Sequence, residues 1–204
     1  YEAGFKSTLA DNRVSLNAAV YLIKWSNIAQ QNRLGCGFQY VANAGKAEIK
    51  GFEIELMAAP IDGLTLTAAL GYADAKITDP EGVAGVNEGD QLQGVPNWTV
   101  AASGEYIFPL ANELEGLLRG DFNHYGRSFS TNNGDLRERP AWTALNLRAG
   151  VIKDDWEITL YVNNVTNTHA NMADSRSLAA ETPGRQRLVT NRPRTIGIDV
   201  RTRF

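Results

Sequence analysis

The stretch LTLTAALGY, which runs from Leu64 to Tyr72, decides the class of fold. Its large apolar side chains fall on alternate positions, and small or weakly polar residues fill the positions between them. Side chains with a period of two line one face of a β-strand, whereas a helix would scatter them around its circumference. The stretch therefore predicts a strand with one apolar face and one polar face.

The same alternation recurs along the whole chain and predicts an all-β protein. The predicted strands cover residues 1–9, 13–26, 46–59, 64–77, 97–108, 115–127, 141–152, 156–165 and 194–204. Several are longer than the usual strand of about 5–6 residues. Most reach the roughly 9–11 residues that cross a bilayer at a tilt.

The connections between these strands alternate strictly between short and long. Short connections lie at 10–12, 60–63, 109–114 and 153–155, and long polar ones at 27–45, 78–96, 128–140 and 166–193. Bacterial outer-membrane barrels have short turns at one end and long loops at the other. The pattern therefore predicts an antiparallel up-and-down transmembrane β-barrel.

The two faces of the predicted strands have the polarity that a wide barrel in lipid needs, with apolar side chains outward and polar ones inward. The apolar faces carry no Lys, Arg, Asp or Glu through their middles. Aromatic side chains near strand ends are typical of interfacial girdles. The candidate girdle residues are Tyr1, Trp98, Phe108, Trp142, Trp156 and Phe204. A bacterial single-chain barrel has an even number of strands, so nine predicted strands indicate the C-terminal part of a larger barrel.

Composition excludes several other classes of protein. The 204 residues include 20 Lys plus Arg and 23 Asp plus Glu, a formal net charge of −3, which argues against a nucleic-acid partner. The one cysteine, Cys36, excludes an intramolecular disulfide and a multi-thiolate metal site. The longest apolar run, 18–23, is far shorter than the roughly 20 residues of a transmembrane helix.

Four stretches share one further feature, and they are Tyr1 to Ser7 with Asn17 to Tyr21 and Trp25; Asn43 to Leu56; Gly94 to Trp98; and Val162 to Asn167 with Pro193 to Phe204. They resemble the C-terminal half of the barrel of a TonB-dependent outer-membrane receptor. Their order and spacing carry the resemblance over nearly the whole chain. One departure is Gln93, where the family often has Pro before Gly-Val-Pro.

The resemblance implies a barrel of about 22 strands that is plugged by an N-terminal domain. It places the protein in the outer membrane of a Gram-negative cell and implies uptake of a scarce nutrient, such as a ferric siderophore, with energy from TonB. The expected partners are the TonB complex, the plug domain, the barrel-assembly machinery, the lipid bilayer and a small-molecule ligand. The plug domain and the N-terminal strands are expected to lie outside this chain, which supplies barrel wall and extracellular loops.

Candidate functional residues fall into three sets. Phe204, a terminal aromatic on the apolar face, resembles the signal that the barrel-assembly machinery reads. The lumen-facing candidates are Glu53, Glu55, Arg119, Asp121, Arg148, Asp199, Arg201 and Arg203. The candidates in extracellular ligand loops are Arg33, Phe38, Tyr40, Asp90, Arg176, Arg185 and Arg187. The plain alternatives are paired or plug-docking charges in the lumen and solvated side chains in the loops.

No catalytic constellation, cofactor motif or metal-ligand set emerges from the sequence. Cys36 has glycines on both sides, while His124 and His169 are too few and too scattered for a triad or a metal pair. The acidic connection at 78–96 is the nearest match to a divalent-cation site, and a solvated loop is the simpler interpretation.

Two alternatives to a receptor remain open at this stage. The first is a passive porin-type channel, which shares the barrel but not the energy coupling. The second is a soluble β-rich carbohydrate-binding or hydrolytic module, in which Glu53 and Glu55 would form a carboxylate pair. Those residues lie two apart on one strand, so about 7 Å separates them along it, and nothing else in the sequence supports catalysis.

Overall fold

The computed structural model describes residues 1–33, 38–43, 45–81, 86–130, 138–176 and 186–202. Within these ranges every regular element is a β-strand, which confirms the all-β prediction. The strands are β1 (Glu2–Leu9), β2 (Val14–Ser26), β3 (Ala29–Arg33), β4 (Gln39–Asn43), β5 (Lys46–Ala58), β6 (Leu64–Asp79), β7 (Trp98–Pro109), β8 (Glu115–Tyr125), β9 (Ser128–Phe129), β10 (Glu138–Arg139), β11 (Trp142–Lys153), β12 (Trp156–Asn163), β13 (Asn171–Arg176), β14 (Gln186–Thr190) and β15 (Thr195–Thr202). Among the described residues, no helix has the length and hydropathy to cross a membrane.

Nine long strands form one antiparallel sheet in the order β1-β2-β5-β6-β7-β8-β11-β12-β15. These are the nine strands that the alternation predicts, with bounds that differ by a few residues at most. Each strand pairs with the next long strand of the chain, so the sheet is an up-and-down meander. Strands β1 and β15 are its two edges.

The strand register keeps every apolar face on one side of the sheet, here called the apolar face. One row across the sheet joins Leu16, Leu56, Ala68, Ala102 and Phe122 through successive cross-strand pairs. A slip of one residue in any pair would move an entire strand's apolar set to the opposite, polar face. The alternation in the sequence therefore determines the register as well as the strands.

The apolar face is exposed because the sheet has no second layer over it. Ile198, in the middle of β15, is 68% exposed, and Ile196 and Val200 beside it on the same face are also more than half exposed. Contiguous apolar surface of this extent marks contact with a membrane or another protein.

Short turns close one end of the sheet. The first has three consecutive residues, Ala10, Asp11 and Asn12, with positive φ, and Asn112 and Glu113 repeat this backbone in a later turn. At Gly63, with φ of 78°, any added Cβ would collide with the carbonyl oxygen of Ile107, so this turn requires glycine. These turns occupy the positions that the short connections predict.

At the other end, three of the four long connections contain short strands that the sequence analysis does not predict. They carry two-stranded sheets formed by β3 with β4, β9 with β10, and β13 with β14. Their sequences, such as QYVAN in β4 and QRLVT in β14, group apolar residues together and do not alternate them with polar ones. Periodicity detects a strand only where one face is apolar.

Trp142 is not a girdle residue of the apolar face, contrary to the sequence analysis. It pairs with Tyr125, and the two rings stack at 4.6 Å on the polar face. Strand β11 presents Thr143, Leu145 and Leu147 to the apolar face, so the even-numbered Trp142 must point the other way. The odd-numbered positions of the neighbouring apolar residues already indicate this orientation in the sequence.

Candidate functional site

The lumen-facing candidates lie together on the polar face of the sheet. Alternation along β5, β8, β11 and β15, together with the register, places all the described ones on this side. These residues are Glu53, Glu55, Arg119, Asp121, Arg148, Asp199 and Arg201. Arg203 lies outside the described residues. The structure leaves their roles as predictions.

Arg119 is the centre of an ionic cluster on this face. Its Nη1 lies 3.0 Å from Glu105 on β7, and its Nη2 lies 2.7 Å from Asp121, which also accepts from Nε at 3.1 Å. Glu105 is the direct cross-strand partner of Arg119, so sequence spacing alone could not have revealed it. The cluster links β7 to β8 with charge-assisted hydrogen bonds.

Arg148 lies beside this cluster, because it is the cross-strand partner of Arg119 on β11. Its Nε is buried and has no hydrogen-bond partner among the described residues. A buried donor without an acceptor is costly, so Arg148 is a candidate to receive an acceptor from another segment.

Glu55, Asp199 and Arg201, also on the polar face, have local partners. Asn17 Nδ2 donates to Glu55 at 3.3 Å, between β2 and β5. Arg201 lies 3.5 Å from Glu157 and 3.8 Å from Asp199, between β12 and β15. These contacts fit the interpretation of paired side chains along a polar wall.

The loop candidates lie on three connections at the end of the sheet opposite the short turns. Phe38 is 67% exposed and Tyr40 is also exposed, next to and within β4. Arg33 lies in β3, while Arg176 and Arg187 lie in β13 and β14. Arg185, Cys36 and Phe204 lie outside the described residues.

The segment from Val86 to Val95 is anchored to the sheet rather than free. Ile77 donates its N–H to Asp90 O at 2.8 Å, and Leu92 donates to Ala75 O at 2.9 Å. The side chains of Val86 and Leu92 are buried against Ala75 and Ile77 in a small apolar cluster. Sequence reasoning missed this anchor, although isolated valines and a leucine in an acidic connection are a signal for it.

The acidic residues of this connection hold its turns. Asp90 Oδ2 accepts the backbone N–H of Asn87 at 2.8 Å, and Asp79 Oδ1 accepts that of Glu81 at 3.1 Å. In the described ranges, no group of three or more His, Cys, Asp or Glu side chains is placed to hold a metal ion. His124, on β8, shares a hydrogen bond of 2.9 Å with Thr143.

The pair formed by Lys46 and Asp79 gives a test of local electrostatics. Lys46 Nζ lies 2.8 Å from Asp79 Oδ2, and this hydrogen bond, followed by the Glu81 amide, lowers the pKa of Asp79. The stabilisation is therefore present above about pH 4, the ordinary aspartate value, and is lost as the pH falls through the lowered pKa. Lys46→Gln is expected to raise the pKa of Asp79, measured by carboxyl-carbon NMR. An unchanged midpoint would contradict the assigned cause, and Lys153→Gln is the distant control.

Asn164 forms the densest hydrogen-bonded site in the described part of the loops. Its side chain is buried, donates to Thr168 O and Arg192 O at 3.0 Å each, and accepts the Thr168 N–H at 3.0 Å. Its own N–H donates to Asn146 Oδ1 at 2.8 Å. One asparagine thus ties both ends of the β12–β15 connection to the sheet. The sequence analysis used this residue only for its resemblance to a family motif.

The exposed apolar face, the opposed polar face and the elaborated end define a wall segment of an outer-membrane β-barrel. The family described as "TonB dependent receptor-like, beta-barrel" matches residues 1–165. The chain therefore belongs to the TonB-dependent receptor family, as its sequence resemblance predicts. This membership places it in the outer membrane of Gram-negative bacteria and among receptors rather than soluble modules.

Two curated relatives that match part of this chain are named as receptors. The chain is 30% identical over 154 residues to the metal-pseudopaline receptor CntO of Pseudomonas aeruginosa. This match covers 73% of this chain and 20% of the relative. It is 30% identical over 128 residues to the ferrichrome receptor FcuA of Yersinia enterocolitica, covering 60% and 16%. The chain thus spans about a fifth of the length of these relatives.

Solved structures share the fold at lower identity. The ferric yersiniabactin uptake receptor FyuA of Yersinia pestis has a TM-score of 0.82 at 19% identity, over 100% of this chain and 29% of that one. The ferric preacinetobactin receptor BauA of Acinetobacter baumannii has a TM-score of 0.71 at 20% identity, over 98% and 28%. At this identity, the likeness shows the barrel fold alone.

Proposed function

We propose that this chain is the C-terminal wall of a receptor that imports a metal chelate, such as a ferric siderophore, with energy coupled through TonB. The observation that carries the proposal is the architecture of a family barrel with hairpins at its elaborated end. The names of the relatives CntO and FcuA supply the substrate class.

In this proposal, the apolar face contacts lipid and the polar face lines the barrel interior. The N-terminal plug domain and the remaining strands of a barrel of about 22 strands lie in the rest of the protein. Arg148, with its unsatisfied Nε beside the Arg119 cluster, is the candidate contact for a carboxylate or carbonyl of the plug. Phe204 stays a predicted assembly signal.

The extracellular hairpins are the proposed site of ligand capture. Loops on a rigid scaffold carry binding function in many folds, and here two hairpins, β3–β4 and β13–β14, rise from the same end of the sheet. Phe38 and Tyr40 present exposed rings there, and the arginines at 33, 176, 185 and 187 provide cations for an anionic chelate.

The test is a growth and uptake assay in the native host. Deletion of the gene is expected to abolish uptake of one labelled metal chelate from a panel of siderophores and metallophores under metal limitation. Removal of residues 171–190 should lose binding of that chelate while the barrel still inserts. Failure of every chelate in the panel would contradict the substrate class.

Energy coupling is tested by the same assay in a strain that lacks TonB. Loss of uptake in that strain supports the receptor. Uptake that persists without TonB and rises linearly with chelate concentration would instead support the passive channel.

A further inference from the structure

The apolar face changes character abruptly at an aromatic cluster formed by Phe52, Tyr72 and Trp98. These residues are direct cross-strand partners on β5, β6 and β7. The ring centroids of Phe52 and Tyr72 lie 5.7 Å apart, and those of Tyr72 and Trp98 lie 4.7 Å apart. Below the cluster, toward the short turns, the face is apolar. Above it, toward the long connections, the same face is charged.

The position of this cluster fits one boundary of a bilayer. On β7, Trp98 and Phe108 occupy the two ends of the apolar face. Ten residue steps correspond to about 33 Å along a strand. At the usual tilt of about 35–45° this is about 25 Å of height, the height of the apolar band of an outer-membrane barrel. The aromatic cluster therefore marks the boundary on the side of the long loops.

Two charged rows lie directly above that boundary on the same face. Two steps above the cluster, Lys50 on β5 pairs with Asp74 on β6. Four steps above it, Glu48 has Lys24 on one side and Lys76 on the other. These rows lie about 5 and 10 Å above the apolar band, given strand rise and tilt. The headgroup layer is about 5–7 Å thick on each side, so the first row lies within it and the second row lies just outside it.

The ammonium groups form the outermost layer of these rows. Lys50 Nζ lies 2.6 Å from Glu48, and the two side chains are 66% and 27% exposed. Lys76 Nζ lies 2.8 Å from Asp74, and these side chains are 46% and 29% exposed. The carboxylates lie closer to the sheet and hold the lysines, while the lysines face outward.

Lys24 adds a cation with no ion pair in the described part of the chain. Three lysines and two carboxylates leave a surplus of one positive charge on this patch. Lys46, farther from the membrane, lies 2.8 and 3.9 Å from Asp79 and Glu81, and this separate group has a net charge of −1. The positive surplus is therefore confined to the two rows nearest the membrane.

We infer that Lys24, Lys50 and Lys76 form a binding site for the phosphate groups of a phosphorylated lipid in the outer leaflet. Lysine ammonium groups bind phosphate as point charges with three donors each. The acyl chains of such a lipid would lie against the apolar face below, past Phe52, Tyr72 and Trp98. The site needs both parts, so free phosphate should bind far more weakly than the lipid.

Native mass spectrometry of the full-length protein in detergent tests the site with lipid A as the probe. The triple variant K24Q/K50Q/K76Q is expected to bind lipid A at least twentyfold more weakly, given about fivefold for each cation at a membrane surface. Lys153→Gln is the matched control, because Lys153 is exposed at the opposite end of the same sheet. Dephosphorylated lipid A should bind wild type and triple variant equally.

A second variant has the opposite expected effect and separates binding from folding. E48Q/D74N removes the carboxylates beneath the lysines and should tighten lipid A binding at least threefold. A purely structural role for these ion pairs predicts no tightening. Equal lipid A affinity of the wild type and the triple variant, or full competition by excess inorganic phosphate, would overturn the inference. Heat-modifiable migration on gels confirms that each variant is folded.

Discussion

Gly51→Ala is expected to reduce the folded fraction of the barrel strongly. A Cβ at Gly51 would overlap the carbonyl oxygen of Tyr72 on β6 and the ring of Tyr21 on β2. Because Tyr72 contributes backbone, relief requires β5 and β6 to separate. We expect a loss of about 3 kcal/mol in the free energy of unfolding, the upper range for overpacking.

Contacts among three neighbouring strands, β2, β5 and β6, meet at Gly51. Tyr21 is the cross-strand partner of Gly51, and its hydroxyl reaches over β5 to donate to Tyr72 O at 3.5 Å. The aromatic ring covers the backbone that glycine leaves bare, a device that stabilises glycine in sheets. The same arrangement recurs where Tyr161 on β12 covers Gly197 on β15.

Gly120→Ala is the matched control for this prediction. Gly120 also lies within a central strand, but a Cβ there would meet only Leu147 Cδ2 at 3.5 Å, an ordinary contact. The measurement is the urea midpoint of heat-modifiable migration for the full-length protein in vesicles. Equal midpoints for the two alanine variants would contradict the steric account.

A double variant separates the two contacts at Gly51. Tyr21→Ala in the Gly51→Ala background removes the ring and leaves the Tyr72 carbonyl in place. We expect only partial recovery of the urea midpoint. Complete recovery would show that the ring alone carries the clash.

The long strands and their faces could be predicted from the sequence because one physical rule governs both. An apolar side chain at every second position defines a strand, its length and the side that it presents. The register then follows, as in the row from Leu16 to Phe122, because a slip would bury charge in the apolar face. Trp142 is assigned to the wrong face when its residue type is considered without its even-numbered position in the strand.

The candidate site was predictable only in part, since its contacts depend on register and on loops. The shared face of Arg119 and Asp121 follows from their spacing of two, but the contact of Arg119 with Glu105 requires the pairing of β7 with β8. The hairpins at the elaborated end pair polar with apolar residues and lack strict alternation along each strand, so they leave no periodic signal. The same holds for Asn164, whose partners Thr168 and Arg192 are joined by side-chain hydrogen bonds alone.

Asn164→Ala is expected to open the β12–β15 connection without unfolding the barrel. The variant loses three side-chain hydrogen bonds, each worth about 1 kcal/mol, and leaves the Thr168 amide and the Arg192 carbonyl without their partner. It also places alanine at φ of 54°, a conformation that asparagine tolerates better. We expect faster hydrogen exchange at Thr168 and Ala170 and faster protease cleavage of the β13–β14 hairpin, with unchanged heat-modifiable migration.

Two companion variants separate the causes. Asn164→Gly loses the same hydrogen bonds but accepts positive φ, so it should be more stable than Asn164→Ala by about 1 kcal/mol. Asn167→Ala, with a similar φ of 53°, loses a single exposed hydrogen bond to the Arg194 amide and should leave the exchange of Ala170 nearly unchanged. If Asn164→Ala and Asn167→Ala open the hairpin equally, the buried network does not anchor it. If only Asn164 matters, the loop that we propose for ligand capture is positioned by one residue at the rim of the barrel, and chelate binding should fall with the hairpin's protection.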